Sequence, residues 1–112
     1  MSYEVINIPP FDKQVKRLAK KYRSIKSDLD TLITSLEKDP KQGRDLGKGC
    51  YKVRMAISDK GKGKSGGARV ITTVIVIEKT VYLLAIYDKS EKQTISDQEI
   101  QDLLEWIEES DK

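Results

Sequence analysis

The hydrophobic period of this chain changes once, near residue 50, and that change limits what the chain can fold into. Upstream, Phe11, Val15, Leu18, Ala19 and Tyr22 fall at the spacing of one helical face, and lysines and arginine (Lys13, Lys16, Arg17, Lys20, Lys21) fill the others. A second stripe follows with Ile25, Leu29, Leu32, Ile33 and Leu36. It opens at Ser24 or Ser27 and closes at Asp39-Pro40. From residue 50 the period is two. Tyr51, Val53, Met55 and Ile57 point one way, and Cys50, Lys52, Arg54 and Ala56 the other.

Two more strands are expected, over 68–77 and 81–88, both apolar at most positions as strands covered on two faces are. A first strand precedes the helices at Tyr3–Ile8, and Lys41–Gly49 reads as a loop. Ser96-Asp97-Gln98-Glu99 is a capping box, and Ile100, Leu103, Leu104 and Ile107 give the last helix its stripe. Trp106 falls beside that stripe, partly exposed. The order is strand, helix, helix, three strands, helix. The expected class is α+β: two N-terminal helices packed on a mostly antiparallel sheet, with a meander over the last three strands and a C-terminal helix.

At 112 residues the chain holds one domain, 1–112. A lone cysteine, Cys50, excludes an internal disulfide, and the N-terminus has no basic, apolar leader, so a cytoplasmic protein is expected. The longest apolar run, 74–77, is too short for a membrane span. Charge is unevenly spread. Residues 96–112 hold seven acids and one base, net −6, leaving 20 bases and 11 acids, net +9, for residues 1–95. A basic body suits a polyanion, and equally a solubility surface.

The segment 59–67, Asp59-Lys60-Gly61-Lys62-Gly63-Lys64-Ser65-Gly66-Gly67, resembles two phosphate motifs and is neither. Gly63-Lys64-Ser65 ends like a P-loop, but Ser58 holds the earlier glycine position and a strand follows where a P-loop needs a helix. The glycine spacing suits a kinase loop, but no partner motif accompanies it. What remains is a solvated turn or a mobile arm whose three lysines, Lys60, Lys62 and Lys64, follow a sugar–phosphate chain.

Histidine is absent. That excludes Ser-His-Asp and Cys-His sites and, with one cysteine, a zinc site of the usual type. No metal or cofactor is expected. Cleavage of RNA needs neither, because its own 2′-hydroxyl can attack the adjacent phosphorus. The protein must accept that proton, stabilise the phosphorane and protonate the leaving oxygen. Lys52, Arg54, Arg69, Tyr87 and Lys89 are groups able to do so, on or beside the sheet. Each has a plainer reading. Lys52 and Arg54 fit the wet face of a strand, Tyr87 a core aromatic, and Lys89 a strand terminus. Arg69 is the odd one, a charge opening an apolar strand just after two glycines.

Three segments carry a family resemblance: Tyr51-Lys52-Val53-Arg54, Gly63 to Ile71, and Tyr82 to Lys89. With the opening Phe11-Asp12-Lys13-Gln14, they resemble the RelE superfamily of toxins from bacterial toxin–antitoxin modules, most of all its HigB-like branch. The resemblance implies a small RelE-like fold and a ribosome-dependent, metal-independent endonuclease that cuts messenger RNA and inhibits translation. It also implies a cognate, DNA-binding antitoxin. By position it assigns Arg54, Arg69, Tyr87 and Lys89 to catalysis, with Lys52, Lys62 and Lys64 as RNA-binding residues. Thr72 and Thr73 stand where that branch often has tyrosines, which removes an aromatic surface. ParE-type relatives share the fold and poison DNA gyrase, so a non-enzymatic inhibitor and an inactive RNA- or ribosome-binding module stay open.

Overall fold

A computed structural model describes residues 2–110, with side chains through Ile107. The elements are β1 (Glu4–Asn7), α1 (Pro9–Lys21), α2 (Ile25–Lys38), β2 (Arg44–Gly47), β3 (Cys50–Met55), β4 (Ala68–Ile75), β5 (Thr80–Asp88) and α3 (Asp97–Ser110). The sheet order is β1-β5-β4-β3-β2, antiparallel except for the parallel β1–β5 pair. The fold is α+β, and no helix among the described residues is long and apolar enough to cross a membrane.

Both helical stripes drive the packing. Phe11, Val15 and Leu18 of α1 and Ile25, Leu29, Leu32 and Leu36 of α2 are buried, with Val53, Met55, Val70, Leu84 and Ile86 in the same core. β1 stops at Asn7, opposite Leu83. Beyond it α1 takes over the edge of β5, where Gln14 Oε1 accepts the Ile86 N–H at 2.8 Å. An unpaired buried amide is costly, so this side chain does the work of a missing strand.

The strands after residue 50 are close to expectation, though β3 ends at Met55 and β4 at Ile75. The stretch 41–49 differs. Half of it is an edge strand, β2, exposed along its whole length and therefore without an apolar signature. Ser24 precedes α2 but does not cap it. Its hydroxyl accepts the Asp59 N–H, and Asp59 accepts the Ser24 N–H, both at 3.0 Å. The Ser96–Glu99 capping box does form, with Glu99 N–H donating to Ser96 Oγ at 3.1 Å and Ser96 N–H to Glu99 Oε1 at 3.2 Å. Among the described side chains of α3 only Ile107 is buried, and Trp106 is 45% exposed. Acidic residues beyond Ile107 lie outside the described side chains.

Candidate RNA-binding cleft

Register brings the candidate residues together. Arg54 on β3 stands opposite Arg69 on β4, and Arg69 opposite Tyr87 on β5. Directly paired residues share a face of the sheet. Val53 and Met55 go into the helical core, so Arg54, Arg69 and Tyr87 take the other face. Lys52 is one row along, opposite Ile71.

On this face is a cleft of about 580 Å³ lined by Gln42, Gly43, Arg44, Lys52, Val53, Arg54, Lys64, Arg69 and Lys89. Six of these side chains are cationic and none is a carboxylate. Such crowding is unfavourable without an anion, and a phosphodiester supplies one.

The cations differ in how they are held. Lys52 is half-buried at the centre. Burial lowers its pKa first, and Arg44, Arg69, Lys89 and Arg54 lower it further. A lysine so placed is more readily neutral and able to accept a proton. Arg69 is only 4% exposed. Its Nη1 donates to the carbonyls of Lys64 and Ala68, both at 3.1 Å, and its Nη2 to that of Ser65 at 3.3 Å. These bonds hold the guanidinium through its two terminal nitrogens and leave Nε without a hydrogen-bond partner among the described residues. Its pKa is lowered by burial and then by Arg54, while Tyr87 opposes the shift. Arg54 is exposed at the mouth of the cleft.

Two glycines allow the close approaches that shape the cleft. A Cβ on Gly43, where φ is +94°, would stand 2.4 Å from the Lys52 carbonyl oxygen, and one on Gly67 would stand 2.2 Å from that of Met55. Neither position admits a side chain.

Tyr87 does not line this cleft. It is 6% exposed, on the far side of Arg69 beneath the start of α3, with Lys92 Nζ 6.0 Å from its ring centroid. Its hydroxyl is buried without a hydrogen-bond partner. Burial raises its pKa, Arg69 opposes that, and Glu99 adds to it. Lys62 is exposed on the loop and also outside the cleft, whereas Lys64 reaches in. Thr72 and Thr73 are buried and line no part of it, so aromatic residues there would not face RNA in this cleft.

Arg44 and Gln42 were not legible as site residues, because 41–49 reads as a loop. The one available signal was Gly47-Lys48-Gly49, a turn leading straight into the alternating strand, which hints at a hairpin and hence a strand before it. Pairing of Arg44 with Lys52 then brings the guanidinium to the cleft.

A helical hairpin on a mixed sheet, with an acid-free basic cleft on the open face, defines a small α+β protein with a cationic concave surface. A model of one family, the RelE toxin of the RelE/RelB toxin–antitoxin system, matches residues 11–110, and the chain belongs to that family. Solved structures agree in fold. The isolated RelE toxin of Escherichia coli is similar with a TM-score of 0.62 at 15% identity, covering 93% of this chain and 98% of that one. A chain of the intact E. coli RelBE toxin–antitoxin complex gives 0.61 at 17% identity, covering 78% and 96%. The RelBE2 toxin–antitoxin complex of Mycobacterium tuberculosis gives 0.58 at 15%, covering 79% and 99%. No curated protein matches the chain in sequence.

Proposed function

We propose that this protein is the toxin of a toxin–antitoxin module and acts in the cytoplasm as a metal-independent endonuclease on ribosome-bound messenger RNA. The observation that carries the reading is the cleft of six cations and no carboxylate around a lysine whose pKa is lowered. Membership of the RelE toxin family supports the toxin role. The HigB-like affiliation rests on the glycine–lysine loop and the strands on either side of it.

In this reading neutral Lys52 takes the proton of the RNA 2′-hydroxyl. The 2′-oxygen attacks phosphorus, and the bond from phosphorus to the 5′-oxygen breaks. Lys89 gives a proton to that leaving oxygen, so the products are a 2′,3′-cyclic phosphate and a 5′-hydroxyl. Arg54 and the Nε edge of Arg69 stabilise the phosphorane, as fixed donors aimed at developing charge do. Tyr87, buried beside Arg69, supports that guanidinium from behind. Lys64 and, from further out, Lys62 hold the flanking backbone, and Arg44 joins them.

The partner is an antitoxin, as in the RelBE complexes of E. coli and M. tuberculosis. We assign it a DNA-binding part of its own.

The deciding experiment mixes purified protein with translating ribosomes and maps message ends by primer extension, with supercoiled DNA and gyrase in parallel. Cuts in the ribosomal A site support the reading. Gyrase-linked DNA breaks would show an inhibitor of the ParE type, and neither activity an inactive binding module.

A further inference from the structure

Behind the cleft, across β5, is a second charge cluster that the cleavage chemistry does not use. Asp88 follows Tyr87 on the strand, so its side chain points to the helical side and is fully buried. Its Oδ1 accepts Lys60 Nζ at 2.5 Å, Ser90 Oγ at 2.7 Å and the Ser90 N–H at 2.9 Å. Its Oδ2 accepts the Tyr22 hydroxyl at 2.8 Å, from the C-terminal end of α1. Lys60 also donates to the Gly66 carbonyl at 3.2 Å and lies 5.4 Å from the Tyr22 ring centroid.

The segments this cluster ties together are those that bear the cleft. Lys60 starts the glycine–lysine loop and Gly66 nearly ends it, so one ammonium group staples both ends. Lys89 follows Asp88 directly, and its N–H donates to the Gly67 carbonyl at 3.1 Å. Arg69 grips the same loop from the cleft side, through Lys64 and Ser65. Of the alternating lysines 60, 62 and 64, the first is turned inward and neutralised, and the last reaches the cleft.

We propose that the Lys60–Asp88 pair is a positioning element of the cleft. It fixes the loop 61–67 against the end of β5 and so holds Lys64 and Lys89 at the spacing a phosphodiester backbone needs. The proposal rests on the cleft being an RNA site. A glycine-rich loop without the staple samples many conformations, and RNA must then order it at the expense of affinity.

The test compares wild type with Lys60→Met, which keeps length and loses charge, and with Lys60→Arg, which keeps a donor for Asp88. Because Lys60→Met leaves the buried Asp88 carboxylate with only the half-exposed Lys21 ammonium, 3.9 Å from Oδ2, as a counter-charge, the double variant Lys60→Met/Asp88→Asn is made alongside as the folding safeguard. The readouts are affinity for a single-stranded RNA with 2′-deoxy nucleotides, which cannot be cut, the limiting single-turnover cleavage rate, and amide hydrogen exchange. Without the pair, the dissociation constant should rise on the order of tenfold, more than the limiting rate falls. Exchange should quicken across 61–67 while α1 and β3 keep their protection, and Lys60→Arg should recover most of the affinity. Unchanged affinity and loop exchange in folded variants overturn the proposal. So does faster exchange throughout the sheet with normal affinity in the folded fraction, which marks a purely structural pair. Wild type that binds this RNA but cuts no natural message on translating ribosomes removes the cleavage reading and leaves the positioning proposal to affinity and exchange.

Discussion

The two sides of β5 treat charge in opposite ways. On the open side Arg44, Lys52, Arg54, Lys64, Arg69 and Lys89 crowd together without a carboxylate. On the helical side Asp88 is enclosed by Lys60, Ser90 and Tyr22. Burial alone would raise the Asp88 pKa, but these partners outweigh it and hold the carboxyl well below the usual range. The lesson is that a buried charge satisfied on all sides organises structure, whereas like charges crowded in a concave surface without a carboxylate form an arrangement that an anion would relieve.

The largest test of this contrast is Asp88→Asn. It strands the Lys60 ammonium, and breaking a buried pair costs about 3–5 kcal/mol, to be read from urea unfolding. The pH dependence follows from the depressed pKa. The contribution of Asp88 is complete above the unfolded-state value of about 3.9 and is lost as pH falls through the lower folded-state value. Wild type should therefore destabilise below about pH 4, and Asp88→Asn should show a flatter acid limb over that range.

Arg69→Ala comes next. Cleavage should fall on the order of a hundredfold or more, and Arg69→Lys should recover only part, lacking the planar fork. Because Arg69 is buried and bonded to three carbonyls, the alanine variant should also lose loop protection in hydrogen exchange, which removal of a rim charge would leave alone. Full activity in a folded Arg69→Ala protein would remove this residue from the site.

Lys52→Arg is narrower. It keeps the charge but cannot deprotonate at working pH. Cleavage should be lost while affinity for uncleavable RNA stays within a few-fold. In wild type the rate should rise with pH through a midpoint below the ordinary lysine value of about 10.4, because burial and the surrounding cations depress Lys52. A midpoint at or above that value would count against Lys52 as the base.

The smallest effects on binding belong to the mouth and outer loop. Arg54→Ala should slow cleavage as loss of a phosphorane donor does, but in RNA binding it should reduce the salt slope only by about one, and Lys62→Ala, outside the cleft, by less. A larger loss for Lys62 than for Arg54 would mean that RNA follows the loop instead of the cleft.

Much of this was legible before folding. The stripes of α1 and α2, the alternation of β3 and the apolar strands β4 and β5 each report burial on a local period. Lys52 and Arg54 fell on the cleft as strand parity indicated, and Lys89, which the family resemblance suggested, lines it as well. β2 was not legible, because an exposed edge strand has no apolar face to betray it, and Arg44 was missed with it. Tyr87 was grouped with the catalytic residues but lies outside the lining of the basic cleft, since parity gives a side chain's face and not what covers it. Lys60 read as one of three equivalent lysines.

The amino-acid order by itself determined the helices, the strands other than β2, the faces they bury, and the placing of Lys52 and Arg54 on the side of the sheet opposite Val53 and Met55. Those properties follow from local periodicity and the alternation of a pleated chain. Tertiary structure decided which charges are neutralised and which crowd together without a carboxylate. Lys60 meets Asp88 from 28 positions away and Arg44 meets Lys52 across a hairpin, and the worth of each charge depends on distance and dielectric, which only the packed chain defines.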